Sequence, residues 1–187
     1  MDRLETAIEE KTKSIRLAMS ALGRRLEEGD ESELLCWVIT NSLACAHRPL
    51  RWHRLYGGSG NNLAPEATLL VFEWAKRIRQ DGIRSIISLM HDRDIGYYQA
   101  LNLRAADLIG FYKQEGFRVS HIPWEDPHHK KSSTTEKGKM LLKIREKALM
   151  AYIKLPKPVL LQCSAGIDRS SPVAAYLYFK SDGPNLP

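Results

Sequence analysis

The sequence predicts an α/β protein, with a mainly parallel central sheet flanked by helices and an N-terminal helical extension ahead of it. Three observations predict this. From about Leu34, short runs of apolar and β-branched residues alternate with longer stretches of helical periodicity. Gly, Pro and Asp bound most of these runs and stop regular structure. The run PVLLQ is apolar enough for a strand buried on both faces, and a turn of small residues and a helical stretch follow it directly. Strands alternating with helices make βαβ units, whose sheet is parallel and covered on both sides.

The elements follow in order. Residues 1–30 form the extension and residues 31–187 the α/β domain. In the extension, Leu4, Ile8, Ile15, Met19, Leu22 and Leu26 recur at intervals that keep them on one helix face, and Gly29 and Asp30 end it. This face is expected to pack on the domain. LLCWVI and the stretch Leu43 to Ala46 are strands. In the loop HRPLRWHRLYGGSGNN, the glycine run lacks the Gly-Lys-Ser/Thr ending of a nucleotide loop and reads as a turn. A helix runs from Ala64 to about Gln80, with Pro65 in its first turn, where a missing N–H does no harm. IRSIISLM is a strand, Tyr97 to Glu115 a helix, and FRVSHIPW a strand. A helix follows from about Thr135 to Ile153, then the strand PVLLQ and a closing helix from Ser170 to Lys180.

Composition narrows the function. Apolar residues make up 43% and charged residues 27% of 187 residues, as in a globular protein. The three cysteines, Cys36, Cys45 and Cys163, are too few and odd in number for a disulfide framework, so a reducing, cytoplasmic setting is expected. The N-terminal residues lack the apolar core of a signal peptide. No run is apolar enough to span a bilayer. The net charge of +6 suits an anionic partner, but the basic residues are spread along the chain, so nucleic acid is not the expected one.

The chemistry gathers after PVLLQ, in CSAGIDRSS. In open α/β sheets, ligands bind beyond the carboxyl ends of the strands. Cys163 stands at such an end, and Arg169 follows six positions later, at the start of a helix. Ser164, Ala165, Gly166, Ile167 and Asp168 join them, beginning with small residues that let the backbone curl and turn its N–H groups inward. Those groups and the positive helix end make an anion site. Gly166 admits a backbone conformation closed to most residues. Arg169 offers a planar fork matched to two phosphate oxygens. A helix N-terminus and a neighbouring cation also favour a thiolate over a thiol. One loop can therefore hold both nucleophile and cradle.

Cys-x5-Arg followed by Ser, here Cys163, Gly166, Arg169 and Ser170, resembles the phosphate-binding loop of the protein tyrosine and dual-specificity phosphatases. The resemblance spans roughly residues 36–180. It implies a tyrosine-phosphatase-like fold, a phosphocysteine intermediate on Cys163, phosphoryl binding by Arg169 and help from Ser170 as the cysteine departs. It implies no metal and no cofactor, and as substrate a phosphorylated protein or a small phosphomonoester. Two features depart from the family: Gln162 replaces the usual His before the cysteine, and the chain stops soon after the closing helix. The Gln departure leaves a non-catalytic phosphate-binding module as an alternative.

A leaving alkoxide needs a proton. By the same resemblance the acid is Asp126, in HIPWEDPHH, 37 positions before Cys163. Asp168 is the rival. An Asp directly before the Arg resembles bacterial Gly-Lys-Asp-Arg loops and myotubularin-like phosphoinositide phosphatases, which makes an inositol phosphate or phosphoinositide the alternative substrate. Glu125 is a further candidate acid. Asp92 and Asp94 are expected near the same mouth. Arg48, Arg51, His128, His129, Lys130 and Lys131 read as a basic rim or an ordinary solvated surface. Metal binding by His91 with the HDRD aspartates, or by Asp126 with the two histidines, has no supporting spacing. Cys36 and Cys45 read as inert packing residues, and Trp37, Trp52 and Trp74 as core or half-buried.

Overall fold

The computed structural model describes residues 3–58, 60–126 and 133–181. In chain order the elements are α1 (Arg3–Glu28), β1 (Leu35–Ile39), β2 (Leu43–Ala46), α2 (Thr68–Gln80), β3 (Ser85–Ser88), α3 (Asp92–Gly96), α4 (Leu108–Gln114), β4 (Arg118–His121), α5 (Thr134–Lys154), β5 (Val159–Gln162) and α6 (Ser170–Lys180). A 3-10 turn, Pro65–Ala67, leads into α2.

The sheet has the order β1-β2-β5-β3-β4. Pairings β2–β5, β5–β3 and β3–β4 are parallel, as alternating strands and helices predict. The β1–β2 pair is antiparallel, with Cys36 opposite Cys45. Only residues 40–42 separate these two strands, far too few for a parallel crossover.

Side-chain alternation divides the core in two. Ala44, Ala46, Ile86 and Leu160 face α2 and α4, with Val71, Trp74, Ile78, Phe111 and Tyr112. Leu43, Cys45, Ile87, Val159 and Leu161 face the other way, toward α1, α5 and α6. On that side α1 buries Ile8, Ile15, Met19 and Leu22 and packs chiefly on α6, so the apolar face expected of the extension is covered. Arg145 of α5, itself buried, ties the layer together. It donates to Pro172 O of α6 (3.2 Å) and pairs with Glu5 of α1 (3.2 Å).

The single helix expected from Tyr97 to Glu115 is absent. A short α3 ends at Gly96, and α4 begins only at Leu108. Arg104 takes a left-handed φ of 56°, which a helix cannot continue. Asp107 then caps α4, its Oδ1 accepting from Gly110 N at 2.7 Å. Trp37, expected to be core or half-buried, is exposed, because β1 is an edge strand with no layer over that side chain. Trp74 is buried. Among the described residues no helix is long and apolar enough to cross a membrane.

Candidate active site

β5 sits at the centre of the sheet and delivers Cys163 at its carboxyl end, 2% exposed. Its Sγ lies 3.3 Å from Ser170 Oγ, in the first turn of α6. Between them the loop is fixed from behind by residues that follow β2. Arg48 N donates to Ser164 O (3.0 Å), and His47 Nδ1 bonds Ala165 O (2.6 Å). Holding these carbonyls outward leaves the loop's amide groups to face the cleft. Gly166 has φ +67°, and a Cβ there would stand 2.5 Å from Met19 Cε and 3.1 Å from Ala46 O. Only glycine fits both the turn and the contact with α1. Ile167 packs against the core, and its carbonyl accepts from Ser171 N.

Arg169 is buried and its Nη1 is held on three sides. It donates to Asp94 Oδ2 (2.7 Å), Trp124 O (2.9 Å) and Leu89 O (3.4 Å). Among the described residues its Nε–Nη2 edge makes no bond, and that edge can fork onto two oxygens of an anion. Burial works against the charge of both partners. Their mutual hydrogen bond and attraction outweigh it, raising the Arg169 pKa and lowering that of Asp94.

Behind the loop lies a buried polar layer. Gln162 donates through Nε2 to His47 O (3.1 Å) and accepts from Tyr112 Oη (2.9 Å). The Gln162 amide thus anchors backbone. Arg48 was expected on a rim or a solvated surface and is instead 1% exposed. Its guanidinium finds acceptors inside, at Ser164 Oγ (3.3 Å), Tyr98 Oη (3.2 Å) and Gly58 O (3.0 Å). Burial pushes the His47 pKa down to about 4, so the ring is neutral and Nδ1–H donates to Ala165 O. Its Nε2 is buried without a hydrogen-bond partner among the described residues.

The loop opens into a cleft of about 400 Å³. Asp126, Glu125, Asp94, Arg51, Arg93 and Tyr97 line it beside Cys163 and Arg169. Asp168 is at the same cleft, with its carboxylate 3.5 Å from Arg16 of α1. Asp126 and Asp168 therefore both reach the mouth, and Asp94 reaches deeper than the sequence suggested. His128, His129, Lys130 and Lys131 lie outside the described residues. Among the described residues no three His, Cys, Asp or Glu side chains could hold a metal ion. Cys45 is buried in the sheet, and burial raises its pKa well above the ordinary thiol value; burial and Glu33 raise that of Cys36 to about 11. Neither thiol is poised to react.

Sequence reading missed the Asp94 brace, the His47–Arg48 support and the anchoring by Gln162. The available signal was weak: polar residues directly after β2 and β3, the strands that flank β5. No protein-family model matches the chain, and no curated protein matches it.

Proposed function

We propose that the protein is a cysteine-dependent phosphomonoester hydrolase, related in fold and mechanism to the protein tyrosine and dual-specificity phosphatases. One observation carries the reading. A thiol at a strand end shares a loop with an arginine whose outer edge is unbonded among the described residues, in a cleft that also holds a carboxylic acid. In the first step the Cys163 thiolate attacks phosphorus and a P–S bond forms. The P–O bond to the leaving group breaks, and Asp126 gives that oxygen its proton. In the second step water attacks phosphorus and Asp126 takes its proton. The P–S bond breaks, with the Ser170 hydroxyl at 3.3 Å donating to the departing sulfur. Arg169 holds two phosphoryl oxygens throughout.

We assign the acid to Asp126, which lines the cleft just after β4, rather than to Asp168, whose carboxylate lies 3.5 Å from Arg16. Besides Asp94, which is paired with Arg169, the cleft carries Glu125, Asp126 and Asp168 against Arg51 and Arg93, a balance that favours a substrate with one phosphate, on a protein or a small molecule, over a polyphosphorylated inositol. The test is hydrolysis of p-nitrophenyl phosphate with EDTA present. Wild type should turn over and Cys163→Ser should not. Equal activity in both overturns the mechanism, and phosphate binding without turnover by wild type makes the protein a binding module.

A further inference from the structure

Four of the eight large apolar side chains exposed among the described residues lie on one element: Met140 (42%), Leu142 (49%), Met150 (55%) and Ile153 (64%) of α5. At 3.6 residues per turn, these positions share half of the helix circumference with Lys139, Lys143, Lys147 and Lys154. The opposite half, with Ile144, Ala148 and Tyr152, is buried in the core, so the helix is already seated and this face is outward. None of the four lysines makes an ion pair among the described residues. Two acids share this half with the four lysines: Glu146, and Glu136 in the capping box at the start of the helix.

We infer that the outer face of α5 docks on an anionic lipid surface. Interleaved lysines and unbranched or aliphatic apolar side chains suit a bilayer interface. The apolar groups enter the acyl boundary, while the long lysine stems lie along them and carry their ammonium groups to the headgroups. Anionic lipid supplies a counter-charge for lysines that form no ion pair among the described residues. A protein partner fits less well, since protein interfaces deplete lysine and rest on Trp, Tyr and Arg, none of which is on this face. A nucleic acid fits less well too, because four apolar side chains would meet phosphates. The inference stands apart from the phosphatase reading.

The test is co-sedimentation of the full chain with vesicles of phosphatidylcholine, with and without phosphatidylserine, at low and high salt. Binding is expected only with phosphatidylserine and should weaken as salt rises. Lys143→Glu with Lys147→Glu should cut binding roughly tenfold or more. Met150→Ser with Ile153→Ser should also weaken it. All four positions are exposed, so circular dichroism should be unchanged. Absence of binding to the phosphatidylserine vesicles overturns the inference. So does equal binding to neutral vesicles. Binding to polyglutamate or RNA that tracks the lysines and ignores Met150 and Ile153 also overturns it, and assigns the face to a polyanion instead.

Discussion

Two segments meet at the cleft, and they are held by different kinds of contact. The loop from Cys163 to Arg169 is gripped along its length: by Arg48 and His47 behind Ser164 and Ala165, by Met19 against Gly166, and by Asp94 on Arg169. The segment from Ile122 to Asp126 is tied to the sheet at its beginning. Ile122 N bonds Ser88 O at 2.8 Å and Trp124 N bonds Leu89 O at 3.3 Å. Past Trp124, whose carbonyl accepts from Arg169, the chain leaves the sheet and Asp126 is half-buried on the cleft wall. The difference matches two physical demands. A phosphate cradle acts through several fixed dipoles and loses its effect when they wander. An acid must reach a leaving group and exchange its proton with solvent.

Substitutions can break this contrast. Asp126→Asn should have the largest effect, a fall in kcat of about 10²- to 10⁴-fold on phenyl phosphate, whose leaving group needs the proton. The basic limb of the pH–rate profile should vanish while inhibition by inorganic phosphate persists. A matching loss of phosphate affinity would merge the two segments into one unit. Asp94→Ala attacks the brace they share. It leaves the buried Arg169 guanidinium without its carboxylate, which should cost about 3–5 kcal/mol in urea denaturation and weaken phosphate inhibition. An unchanged midpoint would show that the backbone acceptors alone hold Arg169.

His47→Gln sharpens the account of the loop's rear support. In the unfolded chain a histidine takes up its proton near pH 6.5. In the fold His47 does so only near 4. On acidification the unfolded chain is protonated first, so the fold loses stability from about pH 6.5 down to about 4, by about 3 kcal/mol from this ring. The variant should lack that part of the acid loss. Denaturant midpoints across this range measure it, and identical slopes in both proteins would remove His47 from the account.

Local features of this site were legible in the sequence. The cysteine and arginine lie six positions apart across a strand–helix junction, and both flanking elements have clear patterns. Helix α5 could be read from its apolar face, whereas α6, buried from Ser170 to Leu177, reads as the helix that closes the chain after the loop. What escaped reading depends on which strands are neighbours. Asp94 lies 75 positions from Arg169 and touches it because β3 pairs with β5. Arg48 and His47 reach the loop because β2 pairs with the other side of β5. Nothing in an arginine's surroundings in sequence separates a rim residue from one with three buried acceptors. The long helix expected after Tyr97 failed on backbone conformation, since apolar spacing is blind to a left-handed residue. Asp107 before Leu108 was the missed cap.

β5 also bears on how the chain reaches its final shape. It is made after the other four strands, yet it lies between β2 and β3. Without residues 159–162 the native strand order allows only two separate pairs, β1 with β2 and β3 with β4, each with an unpaired inner edge. Joining them requires contacts between residues more than a hundred positions apart, such as Leu43 with Val159. Such closure is slow and leaves strand edges open to mispairing in the meantime. The strand that presents Cys163 is thus the one that completes assembly, so the loop after it and the finished sheet come into being in the same event.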